Sequence, residues 1–254
     1  MKDNIYTIPL TDAFSSDDEC PFCFIHRKLE DDAVDFMLGA AYMADDIREK
    51  TNETGFCSKH YELMYDHGNR LGMALMLHTH LQELLKGLNP LLKENIPESI
   101  GTKGSFLTKF LATKALPNKN NANNSASSYI YKSVENCYIC NKINADMARY
   151  VDTFFYIWKH DSNFISLVKN CKGFCLLHFA ILLDVAPNKL SKGDLENFYQ
   201  IVTPLALENL NRLEEELSWF IDKYDYRNKS EPWKNSKDAV PRAIQKLSSL
   251  YVED

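Results

Sequence analysis

Three observations predict an all-α fold. Apolar residues recur three and four apart along most of the chain, no convincing alternating strand or two-residue hairpin signal is present, and one cysteine-containing unit occurs twice with helical periodicity around each copy. The architecture expected is two related helical halves, derived from an internal duplication and packed into one helical body.

The elements follow in chain order. After Cys20 and Cys23, Ala33, Phe36, Met37 and Ala40 share one helical face. A long helix is expected from Ser58 to about Leu88, with an interruption near Asp66-His67-Gly68. The stretch Pro117–Ser128 is Asn- and Ser-rich without hydrophobic periodicity, and reads as a flexible linker between halves 1–116 and 129–254. In the second half, helices are expected over Ile143–Trp158 and Leu176–Val185. The longest apolar pattern runs from Asp194 to Tyr224, opened by a capping-box-like Ser191 and Asp194, with Pro204 placed to kink or divide it.

Net charge is −6 and the pI about 5.7, which argues against nucleic-acid binding through bulk positive charge. The first residues lack the apolar core of a secretory signal, and no run approaches the length of a membrane span. A cytoplasmic location is therefore expected, and seven cysteines in such a chain are read as thiols, metal ligands or redox centres rather than disulfides.

Six of the seven fall in the repeat. Cys20 and Cys23 precede Gly55-Phe56-Cys57 and His60; Cys137 and Cys140 precede Gly173-Phe174-Cys175 and His178. The intervals Cys23–Cys57 and Cys140–Cys175 are 34 and 35 positions, and Val34-Asp35 matches Val151-Asp152 in offset. Thiolate sulfur and imidazole nitrogen in a Cys3His set are a recurrent tetrahedral zinc environment. The expectation is two zinc ions per chain, one in each half: Cys20, Cys23, Cys57 and His60 in the first, Cys137, Cys140, Cys175 and His178 in the second. Each Cys-x-x-Cys would present its thiolates from a tight turn. Four protein ligands leave no open position, so a structural role is expected rather than hydrolysis. Ordinary buried thiols, iron–sulfur ligation and a redox pair at Cys20-Pro21-Phe22-Cys23 are the alternatives.

Cys171 has Glu53 at the corresponding place in the first copy. It reads as a free thiol, or else as a reserve ligand that would make the second copy the oxidant-responsive one. His78 and His80 lie in an apolar stretch and read as packed core or boundary histidines, with catalysis requiring a carboxylate partner in space. Asp45, Asp46 and Glu49 are expected on the solvated face of a short helix. The C-terminal segment is dense in Tyr, Trp, Arg, Asp and Asn. It reads as a tail folded back on Trp233 and internal ion pairs, or as a ligand or partner surface.

The combination of Ile5-Tyr6-Thr7-Ile8-Pro9, the two Gly-Phe-Cys-x-x-His units, Asn69-Arg70-Leu71-Gly72 through His78, and the tail Asp225-Tyr226-Arg227-Asn228, Glu231-Pro232-Trp233, Arg242-Ala243-Ile244 resembles a bacterial family of unknown function. Its members are sometimes labelled ABC transporter substrate-binding proteins. The resemblance covers nearly the whole chain outside the Asn-rich stretch, and implies a bacterial origin and the duplicated Cys/His unit. It implies no activity or substrate, and the transporter label conflicts with the missing secretion signal.

The functional expectation is thus a zinc-stabilised binding or adaptor module for a protein or small-molecule partner. A thiol-based redox or metal sensor is the alternative. An enzyme whose site uses Asp225, Tyr226 and Arg227, with purely structural zinc, is a further one.

Overall fold

The computed structural model describes residues 5–94 and 125–252. Among these, eleven α-helices and no strand are present. They are α1 (Thr7–Ser15), α2 (Pro21–Gly39), α3 (Asp45–Thr54), α4 (Ser58–His67), α5 (Arg70–Glu94), α6 (Ala126–Glu135), α7 (Tyr138–His160), α8 (Ser162–Asn170), α9 (Leu176–Lys189), α10 (Lys192–Asp222) and α11 (Ala239–Ser248).

The interruption expected near Gly68 is real: Gly68 caps α4 in the left-handed conformation, and α5 starts two residues later. Ser191 caps α10, its hydroxyl accepting from the Asp194 amide. Two boundaries are corrected. Helix α10 continues through Pro204 instead of being divided there, because the apolar residues before and after it, Phe198, Val202, Leu205 and Ala206, all bury on the same side. Of the expected linker, residues 117–124 lie outside the described residues. The remainder is ordered, since Ser125 caps α6 and Ala126–Ser128 form its first turn.

The compact units also differ from the expected halves 1–116 and 129–254. One unit is Met1–Glu30 with Ile143–Asp254; the other is Asp31–Lys142. The physical reason lies in α1 and the start of α2, whose apolar side chains belong to the core of the first unit. Phe14 packs edge-on against Phe22 and Phe164, with centroids 5.9 and 5.1 Å apart, and Phe22 faces Phe154 at 5.9 Å. Trp158 and Phe198 extend this aromatic core. The second unit is built differently, around Met37, Leu38, Phe56, Met64 and Met76, with α5 packed against α3, α4 and α6. Arg48 fastens α3 there by donating to the carbonyls of Tyr42 and Leu75 and to the Thr79 hydroxyl.

Within the first unit the tail folds back as expected. Phe220 packs on Trp233, Trp219 Nε1 donates to the Pro232 carbonyl, and the buried Lys223 ammonium donates to three carbonyls, of Asn228, Lys229 and Glu231. One flexible cation thereby ties a whole turn to α10.

Candidate metal centres

Each compact unit brings four Cys/His side chains together, and the pairing crosses the sequence repeat. In the first unit the donors are Cys20, Cys23, Cys175 and His178; in the second they are Cys57, His60, Cys137 and Cys140. Within each set all donor atoms lie within 4.8 Å of one another. All eight expected residues are therefore gathered, but the assignment of one complete set to each sequence half is overturned. Every Cys-x-x-Cys pair meets the Gly-Phe-Cys-x-x-His of the other copy, because the arm carrying Cys20 and Cys23 packs with residues 143–254.

Both centres are assembled from helix N-termini. Cys57 and Cys175 are the N-cap residues of α4 and α9, and His60 and His178 sit in the first turns. Cys20 and Cys137 hold the same place on α2 and α7, their carbonyls accepting from the Phe24 and Asn141 amides. The Cys-x-x-Cys segments are consequently first turns of helices rather than isolated tight turns. Pro21 suits that first position, where its missing N–H is not needed. Two helix N-termini directed at one point favour negative charge there, as thiolate ligands require.

Gly55 and Gly173 make the approach possible, with φ of 62° and 77°. The Gly55 carbonyl also accepts from the Tyr138 amide at 3.0 Å, joining the two ligand-bearing segments of the second centre.

In the first centre, His178 Nδ1 lies 3.0 Å from Cys175 Sγ, 3.5 Å from Cys23 Sγ and 3.6 Å from Cys20 Sγ; Cys23 and Cys175 sulfurs are 3.5 Å apart. In the second, His60 Nδ1 lies 3.2, 3.3 and 3.4 Å from the sulfurs of Cys57, Cys137 and Cys140, and Cys57 and Cys140 sulfurs are 3.8 Å apart. A tetrahedral ion with metal–sulfur bonds of about 2.3 Å and metal–nitrogen bonds of about 2.0–2.1 Å has edges of about 3.8 Å (S···S) and 3.6 Å (S···N). Each donor set could hold one metal ion, its separations lying at or somewhat below those edges.

Their charge asks for a cation as well. Hydrogen bonds from Cys20 and Cys23 hold the Cys175 thiol far below its ordinary range. In turn, Cys175 pushes Cys23 up to about 12, and burial raises Cys20. In the second centre, burial raises Cys137, but contacts with His60 and backbone amides outweigh it and bring the thiol down to about 6. Burial and the Cys137 neighbour push Cys140 up to about 12. One sulfur in each set is thus a ready thiolate, while Cys20 and Cys23 in the first and Cys140 in the second resist ionising beside it, a conflict that a bound dication removes.

The two centres differ in their surroundings. All four donors of the first are buried, whereas Cys57 and Cys140 of the second are partly exposed. Phe22 stacks on the His178 ring at 5.6 Å. Helix α11 then closes the first centre in a way the sequence did not signal. The Ser249 hydroxyl lies 3.1 Å from Cys175 Sγ, and the buried Lys246 ammonium donates to the carbonyls of Glu19 and Lys172, just before the two ligand segments. Around Lys246 runs an ionic network: buried Glu19 meets Arg212 at 2.6 Å and Arg242 at 3.4 Å, and Arg242 also pairs with Glu216. These partners are more than 190 residues from Glu19 in sequence, so no local pattern announces them.

Cys171 stands outside both donor sets. Its sulfur lies 3.1 Å from the Val168 carbonyl, it accepts from the Gly173 amide, and burial pushes its pKa up to about 11. This removes the basis for making the second sequence copy the oxidant-responsive one. His78 is exposed rather than packed, because it falls on the outer face of α5. His80 is the boundary residue expected, its Nδ1 donating to the Asn52 carbonyl at 2.7 Å. Asp225 and Arg227 pair with each other in the first unit and Tyr226 is exposed, whereas His78 and His80 belong to the second unit. Asp45 and Glu49 are exposed on α3, where they line an open cleft of about 590 Å³ with Arg48 and Asn52.

The model of the family of unknown function DUF6062 matches residues 1–254. The chain belongs to that family. No curated protein and no solved structure matches it. No helix among the described residues is long and apolar enough to cross a membrane.

Proposed function

We propose that this chain is a cytoplasmic zinc protein in which two Cys3His centres hold a helical body that serves as a binding or adaptor module. The observation that carries the zinc reading is the donor geometry: two separate sets, each with three sulfurs and one imidazole Nδ1 close enough to one another to form the corners of one coordination tetrahedron. With four protein donors, no position remains for a reacting water, which favours a structural ion. A structural zinc of this class contributes on the order of 10–16 kcal/mol of apparent binding free energy. That is comparable with the whole stability of a domain, about 5–15 kcal/mol.

The adaptor reading rests on the tail. Trp219 and Trp233 are used internally, while Ile221, Tyr224 and Tyr226 stay exposed on the same stretch. An anchored turn displaying apolar and aromatic side chains suits a partner surface.

Metal analysis of the purified protein tests the zinc reading together with the crossed pairing. The native chain should carry two equivalents of zinc and no visible colour. Cys23→Ser and Cys175→Ser should each lose one equivalent, and the double variant should still lose only one. Cys23→Ser with Cys57→Ser should lose both. Iron with visible absorbance, or full zinc content in the single variants, would refute the assignment.

A further inference from the structure

The two centres share one donor set but not one environment, and the difference falls on two sulfurs. Cys57 and Cys140 are the only partly exposed cysteines among the eight donors, and their sulfurs stand 3.8 Å apart. They come from different helices, α4 and α7, whose N-terminal segments the Tyr138–Gly55 hydrogen bond already joins. A disulfide needs a sulfur separation of about 2.05 Å, so closing this pair takes a displacement under about 2 Å.

Proximity alone does not single them out, since Cys23 and Cys175 are 3.5 Å apart. Access does. Cys20, Cys23 and Cys175 are 0, 2 and 0% exposed, His178 is covered by Phe22, and Ser249 and Lys246 of the C-terminal segment brace both ligand segments. The second centre thus offers an oxidant from solvent two partly exposed cysteines, where the first offers only buried ones.

We propose that Cys57 and Cys140 are a modification site, where a hydroperoxide closes a disulfide and expels zinc from the second centre while the first keeps its ion. One thiolate attacks the peroxide and breaks its O–O bond. With hydrogen peroxide this gives a sulfenic acid and hydroxide, which takes up a proton to form water. The other thiolate attacks the sulfenic sulfur, forming the S–S bond and displacing a second hydroxide that is likewise protonated. Two sulfurs together lose two electrons and the peroxide gains them. Two of four ligands are gone, and the zinc dissociates. The inference rests on the zinc reading above and adds an unequal function for the two centres.

The test is graded hydrogen peroxide on the native chain, with released zinc followed by a chromogenic chelator and disulfides mapped by mass spectrometry after alkylation. The expected result is one equivalent released together with a Cys57–Cys140 disulfide, reversed by dithiothreitol and added zinc. The second equivalent should leave only at a peroxide dose at least about tenfold higher. Ser249→Gly removes the hydroxyl over Cys175 at a residue whose φ is 64°, a conformation glycine accepts. It should bring the second release closer to the first and leave the first step unchanged. Release of both equivalents at one dose, a disulfide at another pair, or a first centre that opens first would each overturn the proposal. A protein that carries no zinc before oxidation would instead refute the zinc reading on which it stands.

Discussion

Gly55 and Gly173 share a motif position but not a cost of replacement. Gly55 combines φ 62° with ψ −157°, a region that glycine alone occupies readily, and a Cβ there would lie 2.7 Å from His80 Nε2. Gly173 has φ 77°, but its nearest neighbour to a Cβ is the Leu205 carbonyl at 3.5 Å, an ordinary contact. Gly173→Ala should therefore cost only the backbone strain, about 1–3 kcal/mol. Gly55→Ala should cost more, because the His80 ring must also leave its bond to Asn52. Chemical denaturation of the zinc-loaded variants checks the order. Equal losses would mean that His80 gives way freely.

At the level of elements, α11 illustrates both what sequence could reveal and what it could not. The four-residue ligand units were legible because helix caps and first turns are local, and metal chemistry restricts which residues occupy them. The interruption at Gly68 and the cap at Ser191 were legible for the same local reason. The role of α11 was not, because Lys246 and Ser249 act on residues at least 74 positions away and carry no motif of their own. Pro204 does not divide the helix for a related reason: the packing of α10 on both sides of it outweighs the local penalty.

Asp238 immediately precedes helix α11, and its carboxylate accepts from Arg242 at 2.8 Å; that hydrogen bond holds its pKa below the ordinary value of about 4. A carboxyl group with a depressed folded pKa adds stability that is complete above its unfolded pKa and is lost as pH falls through the folded value. The Asp238 side chain is 55% exposed, so screening limits the contribution to about 0.2–1 kcal/mol. Asp238→Asn should be less stable than the native chain by that amount at neutral pH. The two unfolding curves should converge as pH falls below the carboxylate range. A gap that persists in acid would assign the effect to helix capping instead.

At the scale of the whole molecule, the two donor sets draw on both halves of the sequence. Each compact unit takes a Cys-x-x-Cys from one copy and a Cys-x-x-His from the other, so neither copy can fill a centre alone. Expressed as two separate chains, 1–116 and 117–254, the protein should reassemble on coexpression and carry two zinc equivalents, whereas either piece alone should hold no complete Cys3His site. Copurification and metal content read the result. Separate pieces that each bind zinc and stay apart would contradict the crossed arrangement. The crossed pairing also imposes a timetable on synthesis. The second centre needs nothing beyond Cys140, but Cys20 and Cys23 must wait for Cys175 and His178, more than 150 residues downstream. A nascent chain therefore exposes that first thiol pair through most of its elongation. On the zinc reading proposed above, that enclosed centre can take up its ion only once His178 has been made.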